Sequence, residues 1–546
     1  MGKSKGRKPQ RPKWKDRARQ RQVEGNAGAD AMAIGLELAE SLLAAGKSVE
    51  CLEVVNQLLE MDQPTAATWK IAGKVLISVK EYAQAIDVYS RAVDLDADDI
   101  DTRFNLAGSL YQMGEVSRAS EQFAYVADRY GHLNAWCNLA TILPGCPLSD
   151  HQRVLEVRQR FVQCLQEEES VRLTDPLPPA NRTDGRLRVG YISAYFKQEN
   201  YMKPVWSLIN GHDRSRYEVH LFADNAQRSD FEWLEGDGED RVHLTDEMDN
   251  LQLAQHIRAA DLDLLVDLNA YSIPTRLPLF VHRLARHTLV WFNMYATSAL
   301  PEIDWIVGDR FVIREEEEQF YTENVARLDT SYLTFQVRYG APDVVPPPCI
   351  ANGHFTFGSL ISQYKVTPEV IETWARILNG ANNSRLVLAN RMFASACNRD
   401  YVLDRFEQQG VARGRVDCLP PAEHREFLKY YDKMDLALDA FPYNGGTTTT
   451  EAIWQGVPVL AIDGDRWASR TSRTLLMNCH LQEFVATDID DYVRLAVQLA
   501  NDPEFPQRLS QLRREMREKL LLADVCDAEK LVRSMESIFA AISGGD

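Results

Sequence analysis

From about Asp30 to Leu143, small and apolar residues recur at helical spacing inside a longer period of about 34 residues. Trp69, Gly73, Ala85, Tyr89 and Ala92 set the pattern. Ala107, Ala119 and Phe123 repeat its offsets one period later, and Ala39, Cys51 and Val55 stand one period earlier. Paired helices need small residues where they approach and large ones to fill the gap between neighbouring pairs. A further unit around Trp136 to Leu139 runs into Pro144-Gly145-Cys146-Pro147, with a helix expected from Asp150 to Glu169. After the proline-rich stretch Pro176 to Asn181 the pattern changes to apolar runs of strand length: Leu187 to Ser193, Tyr217 to Ala223 and Leu262 to Leu268, the last preceded by a helix from Asp249 to Ala260. A second break, Pro342 to Pro348, introduces Gly353 to Ser359, Arg385 to Ala389, Val416 to Leu419 and Leu436 to Asp439, and the chain ends in helices from Asp488 to Ile542.

The first pattern is that of tetratricopeptide repeats, and three units clear the minimum such arrays need. Strands alternating with helices indicate doubly wound parallel sheets, whose ligands bind beyond the carboxyl ends of strands. The expected fold class is therefore α plus α/β. A basic tail over residues 1–29 precedes a tetratricopeptide-repeat α-solenoid over 30–175, a first Rossmann-like lobe over 185–340 and a second over 350–546 that includes the C-terminal helices. The repeats offer a concave surface for a partner polypeptide and serve equally as a platform for packing or homo-oligomers.

The stretch Phe441-Pro442-Tyr443-Asn444-Gly445-Gly446-Thr447-Thr448-Thr449-Thr450-Glu451 lies between two strand-like runs and reads as a tight turn into a helix. Adjacent glycines let the backbone approach a ligand, and the threonines are expected to cap the helix and offer hydroxyls. Free amides and the positive end of the helix dipole favour a phosphate or pyrophosphate. Glu451, just inside the helix, is placed to accept from ribose hydroxyls. The Gly-Lys-Ser/Thr ending of a Walker loop is absent, so ATP hydrolysis is not indicated.

That block, with Gly456-Val457-Pro458-Val459 and Gly464-Asp465-Arg466-Trp467-Ala468-Ser469-Arg470 behind it, resembles the C-terminal half of the O-linked N-acetylglucosamine transferase family, and most of all its SPINDLY branch and bacterial relatives. The resemblance implies a two-lobed GT-B glycosyltransferase that modifies protein Ser or Thr with sugar from a nucleotide sugar. It implies a nucleotide-sugar site of Lys365, His424, Tyr443, Asn444, Gly445, Gly446, Thr447, Thr448, Thr449 and Glu451. Lys365 would meet the pyrophosphate without a metal, and no separate cofactor is expected. The first lobe departs from the family pattern. Where relatives carry a histidine proposed as catalytic base, this chain reads Tyr195-Phe196-Lys197-Gln198-Glu199-Asn200-Tyr201-Met202-Lys203-Pro204, and a second family histidine is replaced in Ala270-Tyr271-Ser272. Glu199 is the candidate base in its stead, with Tyr271 or Lys203 orienting a sugar, and Asn293 and Tyr295 belong to the cleft wall. The resemblance is compatible with uridine-linked N-acetylglucosamine, guanosine-linked fucose or an unusual donor such as a nonulosonic acid used on flagellin. The missing histidines also fit a non-catalytic adaptor, and a nucleotide-sugar epimerase shares the two-lobed plan.

Charge and composition narrow this further. A formal net charge of −18 over 546 residues argues against nucleic-acid binding by the body of the protein. Only the tail, Met1 to Lys15, is strongly basic. No long apolar run suggests a membrane span, no Asp-x-Asp cluster in a suitable loop suggests a metal, and the nine cysteines form no Cys-x-x-Cys pair. The chain is accordingly expected in the reduced cytoplasm.

Overall fold

The computed structural model describes residues 30–61, 64–168, 173, 175–177, 185–232, 234–235 and 240–544. The expected basic tail and most of the first linker lie outside them. The chain divides into two compact units between Ser109 and Leu110, inside the helix Ile100–Gln112.

The first unit is helical. A helix over 30–44 is followed by Ser48–Leu59, Ala66–Ser78 and Tyr82–Leu95, around a core of Ala39, Cys51, Val55, Ile71, Ala72 and Val75. The small-against-large spacing has a direct cause here: a Cβ on Gly73 would lie 2.3 Å from the Tyr89 ring. Thr65 and Thr68 close a capping box at the start of Ala66–Ser78. Three helices expected with the repeats, Val116–Tyr130, Leu133–Ile142 and His151–Glu168, fall in the second unit.

That second unit carries two wholly parallel sheets. The first has seven strands: β1 (Leu187–Ser193), β2 (Tyr217–Ala223), β3 (Arg241–Leu244), β4 (Leu264–Asp267), β5 (His287–Trp291), β6 (Trp305–Asp309) and β7 (Asn324–Leu328), in the order β3-β2-β1-β4-β5-β6-β7. The second has six: β8 (Phe355–Ser359), β9 (Ser384–Ala389), β10 (Val416–Leu419), β11 (Leu436–Leu438), β12 (Val459–Ile462) and β13 (Val485–Ala486), in the order β10-β9-β8-β11-β12-β13. These are the two Rossmann-like lobes. In each the winding reverses once, between β1 and β4 and between β8 and β11, and at such a switch point two neighbouring loops leave in opposite directions and open a crevice. Four first-lobe strands, β3 and β5 to β7, had no separate signal in the pattern of the chain. β3 is a short, partly exposed edge, and five-residue runs such as those of β5 and β6, buried almost throughout, lack the alternation that marks a strand.

The C-terminal helix Ala528–Ser543 packs back on the first lobe, against the helix Lys203–Gly211 and β7. There the buried His212 ring joins Tyr191 Oη at 2.6 Å and Glu536 Oε1 at 3.0 Å. Among the described residues no helix is long and apolar enough to cross a membrane, and no disulfide forms.

Candidate functional site

β11 ends at the second-lobe switch point, and the chain beyond it folds the glycine-threonine stretch around one buried carboxylate. Asp439 Oδ1 accepts from the amides of Ala440 at 3.0 Å and Gly445 at 2.7 Å. Asn444 locks the turn from the other side. Its Nδ2 donates to the Ala440 carbonyl at 2.7 Å, and its Oδ1 accepts from the Ser472 amide at 3.3 Å. A Cβ on Gly445 would lie 2.6 Å from Thr448 Oγ1 and 2.8 Å from Thr449 Oγ1, so only glycine fits.

The helix that follows, Thr447–Trp454, corrects the expected threonine cap. Its N-cap is Gly446, with no side-chain cap at all, because the threonines lie inside the helix rather than before it. Thr449 Oγ1 pairs with Ser472 Oγ at 2.7 Å and Thr450 Oγ1 donates to the Thr447 carbonyl at 2.7 Å. Among the described residues no protein acceptor takes the amides of Thr447, Thr448 or Thr449. Three free donors at the positive end of a helix are an arrangement that favours an anion.

Thr447 lines a cavity of about 850 Å³ together with Glu451, His424, Tyr364, Arg391 and, from the first lobe, Asn200. The cavity lies beyond the carboxyl ends of β8, β9 and β10. Glu451 is almost fully buried, and its Oε1 accepts from His424 Nε2 at 2.8 Å and from Asn200 Nδ2 at 2.5 Å. With a carboxylate oxygen as its partner, His424 Nε2 is the donor of this bond. The Tyr339 ring packs edge-on against the imidazole, with centroids 4.9 Å apart.

Lys365 ends the short turn Gln363–Lys365. Its ammonium donates to the Asn444 carbonyl at 2.6 Å and lies 3.9 Å from the centre of the Tyr443 ring, beside the cavity rather than in its wall. Burial lowers its pKa to about 8, against the attraction of Asp439, and burial raises the Asp439 carboxyl to about 6. The helix end Leu110–Gln112 and the turn after it buttress this loop. Tyr111 stacks on Tyr364 at 5.0 Å, and Gly114 approaches so closely that a Cβ would lie 2.2 Å from the Val366 carbonyl oxygen. Of the nucleotide-site residues named from sequence, His424, Thr447 and Glu451 reach the cavity wall. Tyr443, Asn444, Gly445, Gly446, Thr448, Thr449 and Lys365 form the scaffold behind it.

In the first lobe the loop after β1 reaches toward the cavity. Glu199 is half-buried with its Oε1 lacking any partner, and burial raises its pKa above the ordinary carboxylate value, with His424, Lys203 and Arg338 pulling the other way. Lys203 is buried, pushed down to about 8 by desolvation against Glu451 and Glu199. Tyr271 does not fit the sugar-orienting role given to it. Its ring is buried under the Arg158 guanidinium, 4.0 Å from the ring centre, and its hydroxyl is spent on the Ser298 carbonyl at 2.8 Å. Asn293 accepts from Tyr201 Oη at 2.5 Å, and Tyr295 packs edge-on to Tyr443 at 5.3 Å. Phe292 and Tyr295 both have positive φ, 84° and 59°, a strained stretch at the end of β5 of the kind that collects at functional sites. Asn200, Tyr201, Tyr364 and Arg391 were not singled out from sequence. Asn200 and Tyr364 stand next to named residues, but their roles depend on contacts between distant segments. Among the described residues no group of three His, Cys, Asp or Glu side chains is placed to hold a metal.

The sequence profile of glycosyl transferase family 41 matches residues 146–340 and 350–532, and that of a TPR repeat matches 73–114. A protein of Hordeum vulgare, "Probable UDP-N-acetylglucosamine--peptide N-acetylglucosaminyltransferase SPINDLY", is 31% identical over 373 residues, which are 66% of this chain and 38% of that one. The Arabidopsis thaliana protein of the same name is 30% identical, over 65% of this chain and 39% of its own length. A second Arabidopsis thaliana relative, named with the suffix SEC, is 26% identical over 66% of this chain and 37% of its own length. The chain thus spans less than two-fifths of the length of these relatives. Among solved structures, a mutant O-GlcNAc transferase of Thermobaculum terrenum superposes with a TM-score of 0.78 over 94% of this chain and 98% of its own, at 24% identity, a likeness of fold.

Proposed function

This chain belongs to glycosyl transferase family 41, and from that premise we propose that it is a protein O-glycosyltransferase, moving a sugar from a nucleotide-sugar donor to a Ser or Thr hydroxyl of a protein recruited by its tetratricopeptide repeats. One observation carries the proposal. Thr447, the first of three residues with unclaimed amides at the helix start, lines one cavity at the second-lobe switch point with the Glu451 carboxylate and the His424 imidazole, a set of groups suited to a diphosphate and a ribose.

In this reading the donor's phosphates take the amides of the helix Thr447–Trp454, and Glu451 accepts from a ribose hydroxyl. The acceptor oxygen bonds to the anomeric carbon as the bond from that carbon to the diphosphate oxygen breaks. Glu199 takes the acceptor's proton, and Lys365 with the helix amides takes up the charge left on the nucleotide. Preorganised donors of this kind supply the largest rate term in many enzymes and need no metal here. The relatives' names make uridine-linked N-acetylglucosamine the first donor to test.

The test is release of nucleotide by the full chain from uridine-, guanosine- and cytidine-linked sugars, with and without protein acceptors. A parallel melting screen with the free nucleotides reports which base binds, since a ligand of the folded state raises its apparent stability. Turnover of one donor with labelled sugar appearing on protein supports the proposal. Binding without turnover of any donor would leave a repeat-based adaptor.

A further inference from the structure

We propose that Asn200 is a positioning residue through which the first lobe sets the donor grip of the second, by holding the Glu451 carboxylate across the cleft. This rests on the reading of Glu451 as the ribose-binding group.

Glu451 belongs to the second lobe, and one of its oxygens is held from both sides. His424 of its own lobe donates to Oε1 at 2.8 Å, and Asn200, from the loop after β1, donates to the same atom at 2.5 Å. The orientation of the Asn200 amide follows from its partners. Lys203 Nζ donates to Asn200 Oδ1 at 2.5 Å; an ammonium has no acceptor, so the amide oxygen must face it and the NH₂ must face Glu451. The arrangement then closes on itself. Lys203 lies 5.5 Å from the centre of the Tyr339 ring, and the same ring packs against His424. Lys203, Asn200, Glu451, His424 and Tyr339 form a circuit that bridges the lobes, with three of its members, Asn200, His424 and Glu451, in the cavity wall.

The consequence is geometric. At the lobe separation seen here the carboxylate is fixed by two donors. If the cleft opens, Asn200 leaves with the first lobe and Glu451 keeps only His424. A ribose hydroxyl arriving at Glu451 is bound by an oriented carboxylate when the lobes are together and by a looser one when they are apart, so closure and donor affinity are linked.

The experiment measures binding of uridine, guanosine and cytidine diphosphates to the full-length chain by calorimetry, for the wild type, Asn200→Ala, Glu451→Gln and the double variant. Asn200 is partly exposed and its removal leaves both lobe cores intact. For the diphosphate that the wild type binds, Asn200→Ala is expected to weaken affinity about tenfold, the worth of one hydrogen bond to a charged group. In the Glu451→Gln background the same substitution is expected to cost less, about threefold, because the bond Asn200 makes then ends on a neutral amide oxygen. Asn200→Asp sets a second carboxylate against Glu451; its loss is expected to be larger at pH 8 than at pH 5, where the pair shares a proton. Wild-type affinity in Asn200→Ala, or an equal loss with and without Glu451, overturns the coupling and leaves the donor site standing. A wild-type chain that binds none of the three overturns the donor site itself, and the coupling with it.

Discussion

Lys365 holds its ammonium 3.9 Å from the centre of the Tyr443 ring, with the Asn444 carbonyl 2.6 Å away as acceptor. The ring face and the carbonyl supply partial negative charge, and Asp439 behind them adds attraction, yet burial prevails and lowers the lysine to about 8. In the proposed mechanism, the charge that Lys365 would offer a departing diphosphate is then present at neutral pH and lost as pH rises through about 8. Diphosphate affinity should fall across that range, and Lys365→Arg should move the fall upward, since arginine stays charged. An inflection that survives in the arginine variant belongs to Lys203, also near 8. Lys365→Ala should cut transfer about a hundredfold with little effect on acceptor affinity; equal losses in both would remove the lysine from this role.

Gly445→Ala tests the turn itself. The added methyl meets Thr448 Oγ1 and Thr449 Oγ1 at 2.6 and 2.8 Å, and Thr449 is pinned by Ser472 and cannot yield. Relief requires the start of the helix Thr447–Trp454 to move, and with it the three free amides. A stability loss of about 1–3 kcal/mol is expected in thermal melts, with loss of the melting rise that the cognate nucleotide gives the wild type. An alanine variant that keeps that rise would show that the amides are not the phosphate site.

How much of this was legible beforehand follows from how local each signal is. The 34-residue period and the second-lobe strands up to β12 were readable because small residues between helices and short apolar runs between turns carry their reason in their own neighbourhood, whereas the two-residue β13 carries no such run. The glycine-threonine turn was readable for the same cause, although the cap was misread: one residue decides whether a threonine precedes a helix or begins it. Tyr271 could not be judged from sequence, because what removes it from the cleft is Arg158, more than a hundred positions away and lying 4.0 Å from its ring centre. Asn200 was invisible for a similar reason. An asparagine in a polar loop has no signature until a carboxylate from the other lobe stands 2.5 Å from it.

The lobes are also tied by a buried ion pair. Arg470 of the second lobe is wholly enclosed, and its Nη2 donates to both oxygens of Glu317 in the first, at 2.5 and 2.6 Å, while Nε and Nη1 find no partner. Removing the glutamate leaves a charge in the interior, so Glu317→Ala should cost about 3–5 kcal/mol, whereas replacing both residues by leucine or methionine should cost much less. Burial raises the Glu317 pKa, but hydrogen bonds from His151 and Arg470 outweigh it and hold the carboxyl below the usual range. Its contribution is therefore complete above about pH 4.3 and is lost as pH falls through the depressed value. Denaturant melts of the wild type and both variants across pH 3 to 7 check the size and the sign.

Glu199 is the group on which turnover depends if the first lobe supplies the base. Its raised pKa comes from burial, and one oxygen, enclosed by the protein, has no hydrogen-bond partner, so an acceptor hydroxyl would reach it only as the loop after β1 moves. A base must be ionised, so transfer should fall as pH drops through a value above the ordinary 4.3 of a glutamate and be level above it. Glu199→Gln keeps the shape and removes the basicity. It should lower kcat about 10² to 10⁴-fold, flatten the acid limb, and leave diphosphate affinity within about twofold of wild type, since the residue holds none of the groups assigned to the nucleotide. A glutamine variant with wild-type kcat would place the base elsewhere. One that loses diphosphate affinity as steeply as kcat would mean that Glu199 acts on the donor, through Lys203 and the circuit it feeds, rather than on the acceptor's proton.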